Sequence, residues 1–292
     1  MKIRNSQFWV VLIGSCLALS SSNLLAKETS QQKESILNKR LLAQLETNIN
    51  VSEYLKKNKP KSYNYLKNKL EEAIADAKRP SQEKVVDNLW KLTTSHSKIK
   101  TRINNSKTEF LMVSWKYVKK PNENWKPGLK PIDNQTWLTV SNQVKEFCQT
   151  CKGLGINIPG NIMLSLRLQQ YLGLILNKNS NKTHFVEMWV KAEDLSRPCI
   201  DPEINDSSCQ VLPVPVPKSN SVLQKIYKSS FEDNGEHYPW TGLGYTYDWG
   251  NPKKPHVGAS EFLLNPDPGK SVEVEVVSVT PTEEYCNNQY LQ

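Results

Sequence analysis

The stretch Phe110-Leu-Met-Val-Ser-Trp-Lys-Tyr-Val118 decides the fold reading, because the hydrophobic period of the chain changes there. Upstream, apolar residues recur at three- and four-residue steps, as on one face of a helix; here aromatic and β-branched residues run together as in a strand. Downstream, Thr183-His-Phe-Val-Glu-Met-Trp-Val190, Ala259-Ser-Glu-Phe-Leu-Leu264 and Ser271-Val-Glu-Val-Glu-Val-Val-Ser-Val279 also read as strands. The last puts Val272, Val274 and Val276 on one face and Glu273 and Glu275 on the other. Between them, residues 141–148 predict a helix capped by Ser141, and residues 163–174 predict another. Residues 121–131 read as a loop, and Val211-Leu-Pro-Val-Pro-Val-Pro217 as an extended polyproline strap. Without regular strand–helix alternation, this pattern predicts an α+β fold with a mixed or antiparallel sheet.

The N-terminal third predicts a small basic helical region. Ile36, Leu37, Leu41, Leu42, Leu45 and Ile49 share one face, and Tyr63, Leu66, Leu70 and Ile74 resume the pattern after Lys59-Pro60. A third segment opens at Pro80-Ser81, with Val85, Val86, Leu89 and Leu92 as its apolar face. The expected division is a signal in residues 1–26, a basic helical region in 27–106 and an α+β main domain in 107–292.

Residues 1–26 carry the marks of an export signal. Lys2 and Arg4 form the charged start, an apolar run covers residues 8–19, and Leu24-Leu25-Ala26 supplies the cleavage site. That run is too short to span a bilayer. The expected location is therefore periplasmic or secreted. Ile13-Gly14-Ser15-Cys16 offers a lipoprotein-type alternative, with a lipid anchor at Cys16.

Residues 2–120 carry 23 Lys and Arg against 10 Asp and Glu, a balance of +13, so the net charge of +9 leaves residues 121–292 at −4. This makes residues 27–105 a candidate contact for an anionic surface. The lysines are not interleaved with stacking aromatics, so no nucleic-acid motif is present. No phosphate loop, dinucleotide fingerprint or His-Glu-x-x-His helix occurs, and no cofactor is expected.

Five cysteines lie beyond the signal, and an odd number cannot all pair within one chain. Cys199 and Cys209 bracket a short loop and form the expected disulfide. Cys286 is expected to join Cys148 or Cys151, leaving one thiol. Cys148-Gln-Thr-Cys151 ends a helix rather than beginning one, against redox catalysis, and Lys152 stands where a haem site needs His. Zinc on Cys148, Cys151, Cys199 and Cys209 is the less favoured reading, and no metal is expected.

The richest candidate site is Glu236-His-Tyr-Pro-Trp-Thr-Gly-Leu-Gly-Tyr-Thr-Tyr-Asp-Trp-Gly250. Its glycines allow tight turns, and Trp240, Tyr245, Tyr247 and Trp249 offer amphipathic faces suited to a planar or sugar-like ligand. An irregular aromatic core would produce the same pattern. His237, Asp248, His256 and Glu261 make acid–base chemistry conceivable if they converge.

The stretches Thr183–Val190, Arg197-Pro-Cys199, Asp201-Pro-Glu-Ile204, Tyr238–Gly250 and Val257-Gly-Ala-Ser-Glu-Phe262 resemble a family of exported bacterial proteins of unassigned function, over roughly residues 108–286. The resemblance implies a shared domain and brings no catalytic residue with it. The order His184, Tyr245 or Tyr247, Glu261 also resembles that of ADP-ribosyltransferase toxins. That likeness implies NAD held by aromatics, with the Glu stabilising an oxocarbenium charge. The expectation is an exported binding protein with an aromatic-lined site. The alternatives are a secreted NAD-using enzyme with His184, Tyr247 and Glu261 as catalytic candidates, and a structural envelope component.

Overall fold

A computed structural model describes residues 50–120, 125–151, 160–177 and 181–287. The expected signal, Cys16 and the apolar stripe of residues 36–49 lie outside the described residues. The first described helix, α1 (Val51–Asn58), is capped by Asn50, whose side-chain oxygen accepts from the Glu53 amide at 3.1 Å. Helix α2 (Pro60–Ala77) has Pro60 in its first turn, where the missing N–H costs no intrahelical bond. Strands β1 (Thr101–Asn104), β2 (Lys107–Lys116), β3 (Gly128–Ile132) and β4 (Thr136–Val140) follow, then α3 (Ser141–Thr150) and α4 (Gly160–Tyr171). The chain continues through β5 (His184–Lys191), β6 (Leu195–Ser196), α5 (Ser221–Phe231), β7 (Tyr245–Tyr247), β8 (Val257–Ser260), β9 (Phe262–Leu264), β10 (Val272–Pro281) and α6 (Thr282–Asn287).

Eight strands form one antiparallel sheet in the order β3-β10-β5-β2-β4-β9-β6, with β1 also on β2; β7 and β8 form a separate two-stranded ribbon. The α+β fold expected from the sequence is the one observed. The central strand β2 is bonded along most of its length to β5, from Glu109 opposite Lys191 to Lys116 opposite His184. On its other edge it pairs first with β1 and then with β4. Its two faces are covered as well, Phe110 and Met112 lying in one apolar cluster and Val113 and Trp115 in another, so residues 110–115 are all buried and read as a run interrupted only by Ser114.

Four local expectations need correction. Residues 85–92 form no third helix: the amides of Leu89 and Leu92 donate instead to the carbonyls of Ser207 and Ile204, at 2.9 and 2.6 Å. Those two leucines then enter different apolar clusters, which one helical face could not reach. Residues 128–132, read as loop, are the edge strand β3, where Pro131 is tolerated because an edge strand can leave a position undonated. Ser141 does not cap α3; its hydroxyl donates to the buried Glu187 carboxylate. The segment 259–264 is two strands, since β8 pairs with β7 and β9 with β4 and β6, so the chain changes sheets at Glu261.

The disulfides are Cys148–Cys286 and Cys199–Cys209, and Cys151 is the free thiol among the described residues. The first ties α3 to α6 and the second closes the short loop, as expected in an oxidising compartment. Together they engage Cys148, Cys199 and Cys209, three of the four cysteines of the suggested zinc set. Gly244 passes beside the second bridge at φ +75°, where a Cβ would lie 2.6 Å from Cys209 Sγ. Only glycine fits there.

Helices α1 and α2 do not stand apart from the sheet. Leu55, Leu66, Leu70, Ala73 and Ala77 share one apolar cluster with Ile162 and Leu166 of α4, Leu223 and Ile226 of α5, and Trp240, Tyr247 and Trp249. The expected boundary between residues 106 and 107 falls inside one unit running from Thr47 to Gln292. Each buried leucine contributes about 1.5–3 kcal/mol. Deletion of residues 51–77 is therefore expected to abolish the cooperative thermal transition of the remainder, measured by calorimetry. A sharp transition retained without the helices would contradict a shared core.

Candidate functional site

Strand β7 separates two cavities, and strand alternation decides which residues face each. Tyr245 and Tyr247 line a cleft of 210 Å³; Thr246, between them, lines a smaller cavity of 90 Å³. The candidate aromatic segment thus does wall a cleft, but only in part. Trp240 and Trp249 are buried in the apolar cluster, Trp249 with its indole N–H donating to the Leu174 carbonyl at 2.9 Å. Those two act as core.

Polar groups converge on the larger cleft from distant parts of the chain. The Tyr247 hydroxyl donates to Asp76 Oδ2 at 3.1 Å, and the Tyr247 ring stacks on His256 with centroids 4.9 Å apart. Lys84 Nζ lies 3.0 Å from Asp76 Oδ1, and the Tyr245 hydroxyl donates to the Lys84 carbonyl at 2.8 Å. Burial works to raise the Asp76 carboxyl, but Lys84, helped by the Tyr247 hydroxyl and by His256, outweighs it and holds Asp76 below the ordinary carboxylate value. Burial, reinforced by the Asp76 charge, pushes both tyrosine hydroxyls up, so they stay protonated donors. Lys254, Pro255 and Glu83 complete the rim. Asp76 and Lys84 escaped the sequence reading because nothing in α2 or the turn after it shows that the tyrosines 170 residues later will land there.

The smaller cavity contains Glu261. Val113, Trp115, Trp137, Phe185 and Leu174 wall it, and Thr139 and Ser114 add hydroxyls. The residue keeps some exposed surface, yet Glu261 Oε2 is enclosed and has no hydrogen-bond partner, and the same holds for Thr139 Oγ1. Burial alone raises the Glu261 carboxyl to about 8, so it is largely protonated at neutral pH. Its backbone amide is satisfied by the Gly244 carbonyl at 2.9 Å, which fixes the turn from β8 into β9.

The three residues proposed for NAD chemistry do not share a cavity: Tyr247 faces the cleft, Glu261 the smaller cavity, and His184 lines neither. His184 adjoins Phe185 on β5, and neighbouring strand residues point to opposite faces. Its Nδ1 is 2.8 Å from Thr183 Oγ1, and burial lowers its pKa. Asp248 is occupied as well. Its carboxylate takes two bonds from the buried Arg167 guanidinium, 3.0 and 3.1 Å long. His237 contacts the Asp233 carbonyl, away from both cavities.

Two measurements check this account. Arg167→Met leaves the Asp248 charge buried without a partner and is expected to cost ~3–5 kcal/mol in urea unfolding, much of which the double change Arg167→Met/Asp248→Leu restores. The Glu261 carboxyl is raised on folding, so the stability it contributes is present below its unfolded pKa and is lost as pH climbs from about 4.5 through about 8. Glu261→Gln should therefore flatten that part of the stability profile and be the more stable protein at pH 8; an unchanged profile would place the carboxyl in water. No family model, curated protein or solved structure matches the chain, so the functional reading rests on the geometry of these two cavities.

Proposed function

We propose that this chain is an exported binding protein, periplasmic or secreted, whose ligand occupies the cleft beside Tyr245 and Tyr247. The observation that carries the reading is the convergence of Asp76, Lys84, Tyr247 and His256 on one 210 Å³ cleft whose walls are aromatic and aliphatic. Two disulfides fit an oxidising compartment, and among the described residues no helix is long and apolar enough to cross a membrane. A small planar or sugar-like molecule suits the cleft, because flat apolar faces alternate there with fixed donors and acceptors. The NAD-using alternative loses its support with the separation of His184, Tyr247 and Glu261.

Tyr247 is a poor probe of binding because it is buried and bonded; Tyr247→Ala should cost ~3–5 kcal/mol whatever the cleft holds. His256 is half-buried and faces the same cleft; losing its stacking contact costs about 0.5–1.5 kcal/mol and losing its Nδ1 bond with the Asn251 carbonyl about as much again, less than the loss of Tyr247. Titration of monosaccharides, disaccharides and nucleosides by calorimetry should find saturable binding that His256→Ala weakens at least tenfold while the protein stays folded. Absence of saturable binding across that panel, or affinity indifferent to His256→Ala, would remove the cleft as the site.

A further inference from the structure

The cavity at Glu261 is independent of the cleft, since it opens on the other face of β7 and shares no lining residue with it. Two enclosed polar atoms there, Glu261 Oε2 and Thr139 Oγ1, have no partner within the protein. Buried polar atoms are ordinarily satisfied, and each one left over costs stability. Around them stand Trp115, Trp137 and Phe185, while no charged side chain other than Glu261 lines the space among the described residues.

We propose that this cavity is a binding site for a small organic cation, an alkylammonium group seated between the aromatic side chains with its charge against the Glu261 carboxylate. A cation beside aromatic faces and a carboxylate, out of water, gains from both the ring quadrupoles and the ion pair. Thr139 Oγ1 supplies an acceptor for an N–H where the ligand carries one. The 90 Å³ cavity admits a group of a few heavy atoms, which selects a methylated or primary ammonium over a larger amine. Of the elements around the cavity, β2, β4, β5, β7 and the turn after α4, none presents another titratable or charged group to the carboxyl. Burial is the sole cause of its shift. Cation binding at neutral pH therefore requires the carboxyl to lose its proton to solvent, and affinity follows the ionised fraction.

The test is calorimetric titration of the intact, disulfide-bonded protein with tetramethylammonium and with methylammonium at pH 7 and pH 9. With a carboxyl that titrates at about 8, affinity should rise roughly tenfold between those pH values. Comparing buffers of different ionisation enthalpy at pH 7 should show about one proton released per cation bound. Glu261→Gln should abolish the pH dependence and most of the affinity; should that variant fail to fold, proton release by the unmodified protein still decides. The proposal is overturned by no saturable binding at pH 9, by a pH-independent affinity, or by cation binding retained in folded Glu261→Gln. Binding of the neutral acceptor N-methylacetamide that weakens from pH 7 to pH 9, without cation binding, would overturn it too, because the carboxyl would then be acting as a donor.

Discussion

The buried pair of Arg167 and Asp248 holds both cavities in register. Arg167 projects from α4 and Asp248 follows directly after β7, so their two parallel bonds pin the end of the ribbon to the helix. Arg167 also lies over the Phe147 ring and donates to Gln170, which leaves the guanidinium little freedom to turn. The geometry constrains the sequence beside it: a Cβ on Gly250 would come within 2.2 Å of Arg167 Nη1. A buried ion pair contributes little net stability compared with apolar residues of the same shape, but it fixes one arrangement by making every unpaired alternative costly. Here the arrangement fixed is the placing of Tyr245 and Tyr247 on one side of β7 and Thr246 on the other.

A second buried cation supports the same region from the opposite end. Arg197 lies under Phe262, 4.6 Å from the ring centre, and donates to the carbonyls of Trp90 and Asp206 at 2.9 and 3.0 Å. It links the irregular segment after α2, the Cys199–Cys209 loop and β9. These pieces have little regular structure of their own, so their backbone groups find partners in one another, and the Leu89 and Leu92 amides on the loop carbonyls are the result. The loop in turn presses against Gly244, the residue before Tyr245. Packing, hydrogen bonding and the walls of the cleft are in this way one connected arrangement.

The protein treats its acids in contrasting ways. Glu187 is also buried, but Lys145 at 2.7 Å and the hydroxyls of Ser141 and Ser278 satisfy it; burial raises its carboxyl, and these partners together hold it below its ordinary value. Asp248 has Arg167, and Asp76 has Lys84. Glu261 has none of these. Its placement follows from the chain changing sheets at that position, where the backbone is held but the side chain is turned into an apolar space.

Much of the architecture could be read from local pattern. The strand at residues 107–116, the alternation of β5 and β10, the helix that begins at Pro60 and the Cys199–Cys209 bridge all follow from periodicity, from proline and from cysteine spacing in an oxidising compartment. These signals are short-range, and the burial that produces them acts on each element separately. The role of residues 85–92 was not legible, because Leu89 and Leu92 read as a helical face until the carbonyls of Ser207 and Ile204 compete for their amides. The candidate site divides in the same manner. The sequence by itself determined that residues 238–250 are rich in aromatics and turns, and that Glu261 stands within an apolar stretch. Only the tertiary structure decided that Tyr245 and Tyr247 meet Asp76 and Lys84 while Glu261 faces Trp115, Trp137 and Phe185. The reason is that side-chain alternation along β7 assigns neighbours to opposite faces, and which distant elements cover those faces depends on packing that no single segment encodes.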